Sequence, residues 1–106
     1  VKSVEMDIDR RIEIAILVKY YGNLLTNKQR EIINMYVDNN LSFHEVSVEL
    51  NISRQAVKDA LDKAVSTMEN YENKLKFIAR DNKIKDVLNE LDEKTKTKIL
   101  AILEGN

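Results

Sequence analysis

Ser42-Phe43-His44-Glu45-Val46-Ser47-Val48-Glu49-Leu50-Asn51-Ile52-Ser53-Arg54-Gln55-Ala56-Val57-Lys58-Asp59-Ala60-Leu61 is the stretch whose reading decides the fold. Ser42 with Glu45 three residues later is a capping box, in which each side chain satisfies a backbone N–H that the first helical turn leaves open. A short helix is expected from there to about Leu50, with Val46 and Leu50 inward. Asn51 follows, and asparagine enters the left-handed region at little cost. Ile52 can then plug the gap between two helices, and Ser53 can cap the next one. Val57 and Leu61 fall on its inner face, and Ser47 is small where the two helices must approach. The spacing predicts a helix-turn-helix over about residues 42–61.

In such motifs the second helix enters the major groove by its N-terminal turn. The candidate nucleic-acid-binding residues are therefore Arg54, Gln55, Lys58 and Asp59, facing outward, with Ser53 holding the cap. Arginine can contact guanine and glutamine adenine, each through two hydrogen bonds. A helix N-terminus also favours a nearby phosphate. Capped helix pairs joined by a tight turn occur as plain structure too, and that reading stands beside the functional one.

Upstream, Ile14, Leu17, Val18, Tyr21 and Leu25 recur at three- and four-residue spacing, which predicts a helix from about Asp7 to Tyr21. Gly22 and Asn23 tolerate positive φ and are expected to end it. Thr26-Asn27-Lys28-Gln29 is another capping box. The helix behind it is expected to bury Ile32, Ile33, Tyr36 and Val37 and to stop at Asp38-Asn39-Asn40, whose side chains compete for backbone hydrogen bonds. Core packing is the expected role of Tyr20, Tyr21 and Tyr36, ahead of stacking on bases.

Downstream, a long helix is expected from Arg54 to about Arg80. Val57, Leu61, Ala64, Met68, Tyr71, Leu75 and Ile78 alternate spacings of four and three, a 3.5-residue period over three heptads. Such a stripe packs either along its own domain or against another subunit, which makes a homodimer through the long and C-terminal helices an expectation. Asp81-Asn82 is the expected break. C-terminal helices follow over about residues 83–104, with stripes at Ile84, Val87, Leu88, Leu91 and at Ile99, Leu100, Ile102, Leu103, closed by Gly105. Asp92 either caps a last helix or lies inside one continuous helix. The fold class is thus all-α: a helical domain with a helix-turn-helix and a long helix leading to a C-terminal helical extension, read as one domain over residues 1–106.

Composition agrees with helices. The chain has 106 residues, no proline and two glycines, whereas hairpins need such turn residues. Apolar residues make up 43% and charged residues 33%, a globular balance. The net charge of −1 gives no nucleic-acid signal by itself. No apolar run approaches the roughly 20 residues of a membrane span. Val1 to Asp9 is acidic and unlike a signal peptide, so the protein is read as cytoplasmic; the start on Val1 leaves room for residues upstream.

An enzyme is not expected, and neither a catalytic residue nor a cofactor or metal ligand is assigned. Cysteine is absent and His44 is the only histidine, which removes thiolate and three-histidine metal sites. A catalytic histidine needs an orienting partner and a nucleophile or substrate within reach, and His44, at the second helical position, is expected to be exposed and structural. Thr95-Lys96-Thr97-Lys98 lacks the glycine loop of a P-loop.

Several segments resemble the YlxM family. Tyr20-Tyr21 followed by Leu24-Leu25-Thr26-Asn27-Lys28-Gln29 is similar to its opening signature. Leu41-Ser42, Glu45-Val46 and Ser53-Arg54-Gln55-Ala56-Val57 with Asp59 match its central one, and Tyr71-Glu72 with Lys74-Leu75 resembles its long-helix ending. The resemblance covers about residues 8 to 76. It implies a helix-turn-helix similar to region 4 of bacterial sigma factors, in a bacterial, cytosolic protein encoded beside components of the signal recognition particle. The implied role is accessory or regulatory in that pathway, with the particle's GTPase and RNA as partners. A DNA-binding transcription regulator and a protein-protein adaptor are the alternatives. Ala60-Leu61-Asp62-Lys63-Ala64 is less basic than the family's usual stretch, and Ala56 stands where sigma-type helices carry a charge. Both departures weigh against tight, sequence-specific DNA reading.

Overall fold

The computed structural model describes residues 8–105. Among the described residues six α-helices follow one another: α1 (Ile8–Tyr21), α2 (Asn27–Ile33), α3 (Phe43–Leu50), α4 (Arg54–Leu75), α5 (Phe77–Leu88) and α6 (Glu93–Leu103). No strand occurs among the described residues, so the class is all-α. The expected start of the first helix near Asp7 lies outside the described residues. The chain forms two compact units that divide between Lys74 and Leu75.

In the N-terminal unit α1 buries Ile14, Leu17 and Tyr21. Its end corrects the expected mechanism. Positive φ is found at Asn40, Asn51, Lys76 and Gly105, and Gly22 and Asn23 are not among them. The chain instead tightens into a 3₁₀ turn over Gly22–Leu24. A Cβ at Gly22 would lie 2.7 Å from Nη1 of Arg30 and 3.0 Å from Cγ1 of Val18, so a larger residue would displace the end of the Arg30 side chain. That guanidinium bridges Asn23 Oδ1 at 2.9 Å and Asn34 Oδ1 at 3.3 Å, tying the turn to α2.

Thr26 caps α2 with the complete capping box. The helix then widens into a π turn over Asn34–Asp38, marked by the bond from Asn39 N–H to Asn34 O. Arg11 of α1 closes this end. Its Nη1 donates to Tyr36 O and to Asn40 Oδ1, both at 2.8 Å, and its guanidinium lies 4.0 Å from the centre of the Tyr36 ring. Asn40, in the left-handed conformation, turns the chain toward α3. Ile32, Ile33 and Tyr36 are buried as expected, while Val37 is only half-buried. Of the tyrosines weighed for base stacking, Tyr21 and Tyr36 are core residues and Tyr20 is half-buried.

The α4 stripe is used in two ways. Val57, Leu61, Ala64 and Met68 have no exposed surface, so the first half of the heptad pattern serves the core of its own unit. Beyond it Tyr71 is half-buried and stacks on Tyr21, with ring centres 6.1 Å apart, and Leu75 is 44% exposed. The helix expected to run to about Arg80 ends at Leu75, and Lys76 takes a left-handed φ of 59°. The expected break at Asp81-Asn82 is absent, because α5 runs through both residues. Lysine has no special affinity for the left-handed region, so this turn had no residue signature.

The C-terminal unit holds two helices. Asp92 caps α6, its Oδ1 accepting from Thr95 N–H at 2.7 Å, and Gly105 at φ 83° follows the helix end. Within this unit Leu88 is buried, but α6 buries none of its residues.

Two caps give the fold an acid-sensitive element. The Ser42 backbone N–H, and then its hydroxyl, hold the Glu45 carboxyl below the usual carboxylate range. Thr95, through its backbone N–H and then its hydroxyl, does the same for Asp92. Both folded values are depressed, so this stabilisation is fully present above the unfolded values of about 4 and is lost as pH falls through the lowered folded ones. Urea titrations across pH 2–6 are expected to show stability falling below about pH 4, and Glu45→Gln should flatten part of that slope.

Candidate nucleic-acid interface

Ser42 begins the site. Its Oγ accepts from Glu45 N–H at 3.1 Å, and Glu45 Oε1 accepts from Ser42 N–H at 3.0 Å. This box fixes the direction in which α3 starts. At its far end Asn51 sits at φ 55°, ψ 47°, and the chain reverses through Ile52 N–H bonding to Ser47 O at 3.0 Å. Ser47 is buried, as the close approach of the helices requires, and its Oγ donates to His44 O at 2.6 Å. Ser53 Oγ then accepts from Ala56 N–H at 3.0 Å and caps α4. Val46 of α3 and Val57 and Leu61 of α4 are fully buried. The helix-turn-helix is therefore fixed by caps outside and branched aliphatic packing inside.

The outward side chains of the first α4 turns are engaged along the helix. Gln55 Nε2 donates to Asp59 Oδ1 at 2.8 Å. Lys58 Nζ pairs with Asp62 Oδ2 at 3.2 Å, with 37% of the lysine side chain accessible. Ser53, Arg54, Gln55 and Asp59 are exposed, while Lys58 is half-buried and not wholly turned to solvent as the helical spacing suggested.

Arg54 reaches back to α3, where its Nε donates to His44 Nδ1 at 3.3 Å. The result is a cleft of about 380 Å³ lined by Ser42, Phe43, His44, Arg54, Gln55 and Lys58. Three of the five expected contact residues line it; Ser53 serves the cap, and Asp59 restrains Gln55. Ser42, Phe43 and His44 were missed as site residues. Their only signal was the ten-residue separation of His44 and Arg54, which a helix-turn-helix folds into contact.

Among the described residues no group of three His, Cys, Asp or Glu side chains is placed to hold a metal ion. No helix among them is long and apolar enough to cross a membrane.

A family model described as "Putative helix-turn-helix protein, YlxM / p13 like" matches residues 8–103, so the likeness continues past residue 76 into α5 and α6. A UPF0122 protein of Fusobacterium nucleatum is 37% identical over 101 residues, covering 94% of this chain and 98% of its own. One from Malacoplasma penetrans is 38% identical over 89 residues, covering 84% of this chain and 80% of its own. A third, from a Thermoanaerobacter species, is 44% identical over 80 residues, covering 76% of this chain and 66% of its own. With a family model matching across nearly all its length and relatives 37% or more identical to it, the chain belongs to the UPF0122 family of YlxM-like helix-turn-helix proteins.

Proposed function

We propose that this protein is a nucleic-acid-binding regulator of the bacterial cytosol, that it acts through the start of α4, and that it is not an enzyme. The observation that carries the reading is the cleft between the first turns of α3 and α4. It gathers Arg54, Lys58, Gln55 and the Ser42 hydroxyl on one face, the side-chain types that contact phosphate and base edges. The imidazole of the sole histidine bonds to Arg54. As the family resemblance implies, the proposed setting is the signal recognition particle pathway, with the particle's GTPase and RNA as partners. A pull-down from bacterial lysate with and without nuclease tests this. Recovery of that GTPase or its RNA supports it. Recovery of promoter DNA favours a transcription regulator similar to sigma region 4. A nuclease-insensitive capture without nucleic acid favours a protein adaptor.

The protein is further proposed to act as a homodimer. The C-terminal unit leaves Phe77 40%, Val87 59%, Leu91 39% and Ile102 72% exposed, and Lys83, Ile84, Val87, Leu88, Leu91 and Ile99 line an apolar groove of about 370 Å³. An apolar groove of this kind marks an interaction surface. A second copy would present a second cationic cleft and offset the weak charge of a single one. Sedimentation equilibrium at micromolar concentration is expected to give twice the monomer mass of 12.3 kDa. A monomer at all concentrations would reject the dimer.

A further inference from the structure

We propose that the cleft between α3 and α4 holds one backbone phosphate of the nucleic acid, and that His44 takes up a proton when that phosphate binds. The inference rests on the reading of α4 as the nucleic-acid contact. In the bond from Arg54 Nε to His44 Nδ1 at 3.3 Å, Nδ1 is the acceptor, a role that a protonated Nδ1 cannot fill. The imidazole lies beside the Arg54 guanidinium, with the Glu45 carboxylate also close enough to act on it. From α4 the charged groups of this region are Arg54 and Lys58, the latter paired with Asp62. On α3 the neighbouring charge is Glu45, whose carboxylate is turned back onto the Ser42 backbone N–H at 3.0 Å.

Protonation of His44 in the empty cleft would break the bond to Arg54. It would also set a second positive charge beside the guanidinium, in the first turn of a helix, where the helix dipole disfavours cations. A phosphate in the cleft reverses each of these terms. It accepts from the terminal Arg54 nitrogens and from a newly protonated Nδ1, and it separates the two positive charges. Ser42 Oγ accepts from Glu45 N–H and keeps its own O–H to donate. The volume of about 380 Å³ accommodates a phosphodiester group with water. Imidazole is the side chain that changes charge between pH 5 and 8. Phosphate binding therefore favours the imidazolium, and the imidazolium favours phosphate binding by the same factor. Binding that takes up a proton strengthens as pH falls.

His44 is the only histidine, so its imidazole gives one Hε1 resonance. That resonance is to be followed across about pH 5.5–8.5 in the full chain, alone and with a DNA duplex of about two helical turns. A third arm uses an RNA hairpin of similar length, all at one salt concentration. Affinities of the parent and of His44→Gln are measured in parallel, with helicity as the folding control. The expected result is an imidazolium that persists to higher pH in the complex, with parent affinity rising up to about tenfold from pH 8 to pH 6 and no such rise in His44→Gln. A response to either polymer supports the inference, and the tighter one identifies the source of the phosphate. Binding with an unmoved His44 titration and the same pH slope in His44→Gln overturns it and leaves the α4 reading intact. No binding of either polymer at any pH overturns both.

Discussion

Replacement of Leu61 by alanine is expected to lower the unfolding free energy by about 2–5 kcal/mol, toward the upper end of that range. Leu61 has no exposed surface, and neither do Val57, Ala64 and Met68 along the same face of α4. Truncation removes the transfer free energy of the lost atoms and leaves a cavity that neighbours held by caps and a tight turn can fill only in part. A domain of this size has roughly 5–15 kcal/mol in total, so a single substitution removes a large share. The melting temperature should fall by roughly 4–8 °C for each kcal/mol lost. Denaturant titration of parent and variant measures the effect. A loss under about 1 kcal/mol would place Leu61 outside a packed core and would break the link between the helix-turn-helix and the fold.

The second large effect concerns binding. Arg54→Ala combined with Lys58→Ala is expected to weaken nucleic-acid affinity roughly 100-fold and to reduce the salt slope by about 2. Each cation that neutralises a phosphate releases counterions, and the net charge of −1 leaves little other attraction to compensate. Asp59 and Asp62 lie on the same stretch of helix, so the residual surface becomes acidic. Stability should change little. Arg54 is exposed, and the Lys58–Asp62 pair is a partly exposed i,i+4 ion pair, a type that contributes only about 0.3–0.5 kcal/mol. Far-UV circular dichroism and the same denaturant titration separate loss of binding from loss of fold.

What the sequence disclosed depended on whether a feature had a residue signature. The caps at Thr26, Ser42 and Ser53 have one, because a short polar side chain can reach the open N–H groups of a first turn; these three form as expected, and Asp92, which the sequence left open between a cap and a helix interior, caps α6. Asn51 in the left-handed conformation was legible for the same reason. The end of α4 was not, since Lys76 takes φ 59° without being a residue that prefers it. The heptad pattern passes over that turn unbroken, because periodicity records which face is apolar and not whether the backbone continues. Gly22 misled in another way: it was read for positive φ, which it does not take, and its missing Cβ instead leaves room for the Arg30 guanidinium, a contact across eight residues. In the candidate interface, the helical spacing placed Arg54, Gln55 and Lys58 together. The partnership of Arg54 with His44 needed the turn geometry, which no single helix face contains.

The most direct test of the account is a fluorescence-anisotropy titration of parent and Arg54→Ala/Lys58→Ala protein at one salt concentration, with a labelled DNA duplex and a labelled RNA hairpin as probes. The account predicts saturable binding of at least one probe by the parent and affinity weaker by roughly 100-fold in the double variant at unchanged helicity. Equal affinity of the two proteins would contradict it: the helix-turn-helix would then be a scaffold, and a protein-protein adaptor would be the reading to adopt.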